Sequence, residues 1–518
     1  MSVDEIPSER ETTEGTESPR DPWSALKLYT DSHGELPDTS KDEQEQWHPS
    51  FFFRGQDNLL VPMKSEAGAG EVHIRIRQEV QATFARWLKM QNVCVLMGAG
   101  ASYYVTELLG VNLLERIEEL LVGRQSKRTL ESILRYASER GRVEKNFEGF
   151  LSQLSALLRL WQKANSPLDK LPIDIPLEGI RGTRRQRGPD RRFRMLAELL
   201  QDIERAIAVL CNVHLPASSL SGEVTHTHND VTPHEALMAK LVARDPHAGR
   251  ARVFTTNYDT LIEQAMDRLG ILYSDGFTGT VNRRFYPAAY DLDHYYPGDV
   301  SEGRVRRYDR VLHLYKLHGS INWRRRDSST ATDPFGIAFD ASPIPTRKDI
   351  LGSRNDNSPR STLSDVFQND QSLAILPTAA KYGETLTMPF AHLFRAFAQA
   401  LQEPQTVLFV IGYSGWDSHI NQIIYDAIAN PGFTCVVIDP KPSDWARRIC
   451  HADACGRVYC LGGEWGTFEF FSRRVLPDLA ILRTEMAVAR TIRALSVRST
   501  DTADDEPDLS EVYGDDPI

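Results

Sequence analysis

The chain has no apolar run long enough to cross a bilayer, and its first residues lack the basic, apolar and small-residue order of a secretory leader. A cytoplasmic protein with no membrane partner is therefore expected. Cysteine is scarce, six in 518 residues, and no two are spaced as Cys-x-x-Cys. A four-thiolate zinc module is not expected, and reduced thiols fit better, with Cys94, Cys435 and Cys460 lying in apolar runs as small core residues. No Gly-x-x-x-x-Gly-Lys-Ser/Thr phosphate loop occurs, so any ATPase working with this protein is another chain. Positive charge is not in excess: the net charge is −11, which argues against a dedicated nucleic-acid binder. Arg181, Arg184, Arg185, Arg187, Arg191, Arg192 and Arg194 are the local exception, either a solvated loop or a contact for an acidic partner.

What remains is a soluble composition, 41% hydrophobic and 25% charged, long enough for two or three domains or one elaborated domain. Residues 1–70 read as largely disordered. Trp23, Trp47 and Phe51–Phe53 within them are candidates for docking on the body of the protein or on a partner. Residues 71–478 read as one nucleotide-binding domain with a helical insertion at about 125–235, and residues 479–518 as a C-terminal helix and acidic tail. Helical spacing is expected over 76–90, 128–140, 143–165 and 190–213, the last two separated by a Pro- and Gly-rich break. Residues 271–310 read as a long ordered loop and 324–370 as a mobile excursion.

Val93–Met97 is the stretch from which the rest is read. Five apolar residues predict a buried parallel strand, Gly98-Ala99-Gly100-Ala-Ser102 ends it, and an amphipathic run from Leu108 to Leu121 follows. A strand, a Gly-x-Gly turn and a helix form a nucleotide-binding entry, though Tyr103 stands where the dinucleotide fingerprint has its third glycine. A tight turn with no ligand fits the same residues. Further strands are expected at 252–256, 311–317, 372–376, 407–411, 435–438 and 458–461, separated in the main by helices. That alternation predicts a doubly wound parallel sheet of the α/β class. Ser102, Asn257, Asp259, His318, Ser414 and Asp439 then fall where strands end, on the edge that binds ligands in open α/β sheets. Each also has a plainer account: Asn257, Asp259, Ser414 and Asp417 as helix caps, His318 as a turn residue.

Gly98-Ala-Gly-Ala-Ser102, Thr255-Thr256-Asn257-Tyr-Asp259, Lys316-Leu-His318-Gly-Ser320 and Ile411-Gly412-Tyr-Ser414, in that order, resemble the sirtuin family. They look most like the divergent sirtuin-like NAD hydrolases of bacterial anti-phage defence, over roughly residues 77–475; Asn146-Phe147-Glu148 and the Pro377…Lys381 pair add to the likeness. The zinc cysteines of protein-deacylating sirtuins are missing, and the segment following the glycine motif reads Leu108-Leu-Gly-Val-Asn-Leu-Leu-Glu-Arg116.

The resemblance implies an enzyme that cleaves NAD, as its substrate, to ADP-ribose and nicotinamide, without zinc, as an NAD-depleting effector in abortive infection. It implies Asn257, Asp259 and His318 as catalytic residues: Asn257 placing water or ribose, Asp259 orienting the network, His318 as general base. It implies Gly98, Ala99, Gly100 and Ser102 around the pyrophosphate, Thr256 as a further NAD-binding residue, Gly412 and Ser414 at phosphate or adenosine ribose, and Asp439 at the adenosine ribose. A homo-oligomer is expected, with a separate activating partner, first a P-loop translocase ATPase and second an Argonaute protein. An NAD-dependent deacylase and a non-catalytic NAD or ADP-ribose sensor are the alternatives.

Overall fold

The strand that the sequence singles out lies in the middle of the molecule. In the computed structural model, Asn92–Met97 (β3) is buried along its whole length. It sits within a nine-stranded sheet of order β2-β1-β14-β13-β12-β3-β4-β8-β5. The described residues are 50–55, 57–60, 69–106, 113–121, 124–139, 189–217, 231–245, 248–296, 307–326, 335–351, 363, 373–375, 388–453 and 455–478. The chain divides into residues 1–48 and 49–518, and every described residue lies in the second unit. Trp23, Trp47, the helix expected at 143–165 with Asn146-Phe147-Glu148, the arginines at 181–187, Pro377, Lys381 and the tail from 479 lie outside the described residues.

Seven strands of the sheet run parallel: β14 (Val458–Gly462), β13 (Phe433–Ile438), β12 (Thr406–Ile411), β3, β4 (Arg252–Thr255), β8 (Val311–Lys316) and β5 (Leu272–Ser274). The α/β class and the mostly parallel sheet are as the apolar runs predict, because parallel strands are covered on both faces and need apolar residues at every position. Val93, Val95 and Met97 join a core roofed by α1 (Ala69–Leu88), α6 (Pro233–Val242) and α7 (Leu261–Arg268). On the other face Phe254 meets Phe397 of α9 (Phe390–Gln402) at a ring distance of 4.8 Å. Phe51–Arg54 (β1) adds an antiparallel strand against β14, with Phe51 opposite Gly462, and β2 (Asp57–Asn58) pairs antiparallel with β1 at the edge. The sheet thus begins earlier in the chain than residue 71, and Phe51–Phe53 dock on the protein's own body.

The insertion has its own core, which Ile350 of α8 (Arg347–Leu351) joins. α3 (Leu113–Leu120), α4 (Arg124–Glu139) and α5 (Pro189–Cys211) pack through Ile117, Leu120, Leu130, Ile133, Leu199, Ile203 and Ile207. Leu199, Ile203 and Ile207 recur every four residues on one face, and burying each is worth about 1.5–3 kcal/mol. Helix α6, which starts where the insertion as read from sequence ends, contributes Leu237 and Met238 to the core under the main sheet.

Two sequence expectations are corrected. Residues 271–310 are not one loop, and 324–370 is not simply an excursion. Both supply strands to a second, five-stranded sheet of order β11-β9-β10-β7-β6. β6 (Phe277–Thr278), β7 (Arg284–Phe285), β9 (Gly319–Arg325), β10 (Ile337–Phe339) and β11 (Leu373–Ile375) pair antiparallel around it. β11, read as a strand of the main sheet, belongs here. Strands of two or three residues are too short to show alternation. Phe277, Phe285, Trp323 and Phe339 reveal themselves as a core only once they meet, Phe277 lying 5.2 Å from Trp323 and 5.9 Å from Phe339.

Candidate active site

The chain runs outward from β3 through β4 to β8, then returns to β12 and continues the other way to β13 and β14. The carboxyl ends of β3 and β12 therefore flank the point where the winding reverses, the place where open α/β sheets bind ligands. All the residues singled out from sequence lie along this edge: Asp439 after β13, Gly412 and Ser414 after β12, Gly98–Ser102 after β3, Thr256, Asn257 and Asp259 after β4, and His318 after β8.

The glycines at the reversal are required by each other. A Cβ on Gly412 would stand 2.4 Å from Ala101 N and 2.6 Å from Gly100 C, and one on Gly98 would stand 2.6 Å from Gly412 O. Gly412 also has φ +60°. The two turns are joined by Gly98 N donating to Ile411 O (2.9 Å) and Gly100 N donating to Gly412 O (2.9 Å). The N–H groups expected from Gly98 and Gly100 for a pyrophosphate are thus already engaged, as is that of Thr256, which donates to Met97 O at 3.1 Å. Of the helix expected over Leu108–Leu121, the described part is helical from Leu113 to Leu120, and residues 107–112 lie outside the described residues. A 3₁₀ turn, Ala99–Ser102, runs into a single turn of helix, α2 (Tyr103–Thr106), before the chain resumes at α3. Ala99 and Ser414 are the exposed members of the set.

Next to this joint the polar groups form a directed chain. Asn257 Nδ2 donates to Gly98 O (3.0 Å) and to Ser102 Oγ (2.9 Å), and Ser102 Oγ donates to Asp259 Oδ2 (2.8 Å). A backbone carbonyl only accepts, so the contact with Gly98 fixes which end of the Asn257 amide is nitrogen. With both protons of Nδ2 used, Oδ1 is what the side chain offers to a ligand. Asp259 Oδ1 accepts from Leu261 N (3.1 Å) in the turn that leads into α7, whose cap position is Thr260, so neither Asp259 nor Asn257 is the helix cap that the sequence suggests. Lys316, buried at the end of β8, binds Asp259 O and pairs with Glu263 Oε1 at 2.8 Å, which ties this loop to the next strand. Burial pushes the Glu263 carboxyl up and Lys316 opposes it.

β4 and β8 are adjacent, with Thr255 paired to Lys316, so Asn257 and His318 each follow by two residues on neighbouring strands. His318 is buried at the joint between the two sheets, since β9 begins at Gly319. Its Nε2 lies 3.0 Å from Asp417 Oδ2, and the Phe394 ring lies 6.1 Å from its own. β8 and β12 are separated by β3 and β4, about 14 Å at the usual strand spacing. A 3.0 Å contact between residues that follow them brings the two loops together across the ends of β3 and β4. Asp417 is the cap that the sequence suggests, at the start of α10 (Ser418–Ile428), but its partnership with His318 has no signal in the sequence, being 99 positions distant.

Asp439 lies furthest along the edge, half-buried, its Oδ1 accepting from Lys441 N at 2.8 Å. Burial raises its pKa to about 6, against the hydrogen bond from Lys441. Ser414 is exposed in the loop between Gly412 and Asp417, and Trp416 beside it is 78% exposed, so it is a surface residue. No group of three or more side chains suited to a metal occurs among the described residues, and all six cysteines are free.

Residues 251–454 match the SIR2-like domain family. The matched span runs from β4 into the segment after α11 (Asp444–Ala452). It contains Asn257, Asp259, His318, Ser414 and Asp439 and leaves out the Gly98–Ser102 turn that the fold places beside them. No curated protein matches the chain. Among solved structures, a Sir2 homologue in complex with NAD is 11% identical, with 78% of this chain and 94% of that chain covered and a TM-score of 0.33. A Sir2 homologue mutant in complex with ADP-ribose is 11% identical, with 79% and 98% covered and a TM-score of 0.32.

Proposed function

We propose that the protein is an NAD glycohydrolase that cleaves NAD to ADP-ribose and nicotinamide. The observation that carries this reading is the placement of Asn257 and His318 after adjacent, in-register strands beside the reversal point of the sheet. The SIR2-like match over residues 251–454 supports it.

The chemistry asks little of a protein. Nicotinamide leaves from a cationic nitrogen, so the bond to the ribose breaks with the electron pair going to the departing ring. The ribose carbon becomes oxocarbenium-like, and water adds to it. Asn257, held by Gly98 and Ser102, presents Oδ1 as an acceptor for that water or for a ribose hydroxyl. An ionised Asp417 only accepts, so the neutral His318 ring carries its proton on Nε2 and its lone pair on Nδ1. Nδ1 is then the base that takes the proton from water or from a ribose hydroxyl. Asp259 acts through Ser102, keeping the Asn257 amide in place. Gly98, Ala99, Gly100, Ser102, Thr256, Gly412 and Ser414 line the approach to the phosphates. With the N–H groups of Gly98, Gly100 and Thr256 engaged, their part is close backbone approach rather than donation. Asp439 receives a ribose hydroxyl of the adenosine.

In the cell this activity depletes NAD as a defence effector against phage, in the cytoplasm. It is held silent in a homo-oligomer until a separate partner, a P-loop translocase ATPase or secondly an Argonaute protein, releases it. The test is chromatography of nicotinamide from the purified protein with NAD alone, with an acetyl-lysine peptide, and with the product of a neighbouring gene. Release without peptide, abolished by His318→Ala, is expected. Release only with peptide identifies a deacylase, and binding without release identifies a sensor. Separating linear from cyclic ADP-ribose in the same run decides whether water or adenine reaches the ribose carbon.

A further inference from the structure

Asp417 is more than the cap of its helix requires. One oxygen suffices for a cap. Here Oδ1 accepts from His419 N (3.0 Å) and Ile420 N (3.4 Å), and Oδ2 is left over, 3.0 Å from His318 Nε2. Both side chains are only 5% exposed, so water does not compete for the contact.

The carboxylate is also held rigidly. Its backbone carbonyl lies 3.0 Å from the Tyr413 hydroxyl, which lies 3.0 Å from Asn421 Oδ1 as well, and Asn421 Nδ2 donates to Gly415 O at 2.7 Å. Tyr413 packs edge-on against Trp445 at 5.4 Å, and Gly415, with φ +80°, lies against the same tryptophan, whose Cβ would be 2.4 Å from a Cβ built on it. Loop 413–417 is thus stapled to α10 and α11, and through Asp417 it grips the histidine that follows β8.

We propose that Asp417 is a positioning residue for His318: it fixes the ring's orientation and tautomer so that Nδ1 faces the reaction as the base, and it stabilises the imidazolium that forms. This rests on the proposed NAD cleavage. The Phe394 ring, 6.1 Å from that of His318 and 4.8 Å from that of His419, packs beside the imidazole.

The decisive variant is Asp417→Asn. Asparagine keeps an oxygen for the cap but turns an NH2 towards Nε2, which must then accept and lose its proton to Nδ1. The expected result is a fall in kcat for nicotinamide release of about 10²- to 10⁴-fold, the range of such tautomer-reversing changes, with KM altered less than about threefold. The acid limb of the pH profile moves to lower pH, and the thermal midpoint stays within a few degrees of wild type. Asp417→Glu, which restores a carboxylate, recovers part of the loss. Nitrogen-15 spectra of the histidine rings, with His318→Gln for assignment, give a reading that needs no Asp417 variant, and protonated Nε2 is expected.

Wild-type kcat in Asp417→Asn overturns the proposal, and so does protonated Nδ1 in the wild type. Parallel loss of stability and activity in both Asp417 variants, with an unmoved pH profile, reduces the residue to a cap and overturns it too. A wild-type protein that releases no nicotinamide under any condition overturns the reaction itself, whereas the ring spectra still decide whether Asp417 sets the tautomer.

Discussion

Three glycine-to-alanine changes separate two costs that meet at the reversal point of the sheet. Gly270 has φ +62° with nothing within 4 Å of where an added methyl would stand, so Gly270→Ala costs the left-handed backbone alone, about 1–2 kcal/mol. Gly98 has φ −108°, so Gly98→Ala costs no backbone strain. Its Cβ would meet Gly412 O at 2.6 Å and Tyr413 Cα at 2.8 Å, backbone atoms that cannot swing aside, and overpacking of this kind costs about 1–3 kcal/mol. Gly412→Ala combines both costs, with φ +60° and a contact of 2.4 Å to Ala101 N. Relieving that contact also parts Gly100 N from Gly412 O, another ~1 kcal/mol. The sum for Gly412→Ala is about 3–6 kcal/mol. Urea unfolding followed by intrinsic fluorescence should rank the midpoints Gly412→Ala lowest, with Gly98→Ala and Gly270→Ala above it. If Gly412→Ala unfolds no earlier than Gly270→Ala, the claim that these glycines exist to let two turns touch is refuted.

The remaining predictions concern the polar edge and its supports. Ser102→Ala cuts the link from Asn257 to Asp259 inside a buried network. It should cost about 1–2 kcal/mol in unfolding and at least about tenfold in nicotinamide release. Tyr258, between Asn257 and Asp259, packs against the core of the helical insertion, as does Ile321 just past His318. Tyr258→Ala should therefore lower kcat as well as stability, the latter by about 1–3 kcal/mol; unchanged kcat would show that the insertion does not steady the site. Asp439 has its folded pKa raised from 3.8 to about 6 by burial, so its contribution is full below about pH 4 and is lost as pH rises through about 6. Asp439→Asn should remove that loss, making the variant relatively more stable at pH 7 than at pH 4. Parallel stability curves for the two proteins would contradict it.

Much of the site was legible because strand ends are legible. Val93–Met97, Val407–Ile411 and Cys435–Ile438 announce buried parallel strands by continuous apolar character, and the polar residue after each strand falls on the carboxyl edge whatever the order of strands. Asn257, Asp259 and His318 were placed on that edge in this way. The small sheet was missed because its strands carry two to seven residues each, with their aromatics scattered from Phe277 to Phe339. The glycines were read for a ligand's approach, yet what approaches them most closely is the backbone of another turn, a fact that requires β3 and β12 to be neighbours.

The amino-acid order alone therefore determined the class of fold, the edge on which chemistry gathers and the residue types placed there. These follow from local patterns, in which each strand is recognised by its own side chains. Which residues touch was decided by the winding. It set Gly98 against Gly412 across more than three hundred positions, turned the Asn257 amide towards Ser102, and carried Asp417 over the ends of two intervening strands to His318. Contacts of that kind depend on strand order and loop path, and no stretch of sequence records either.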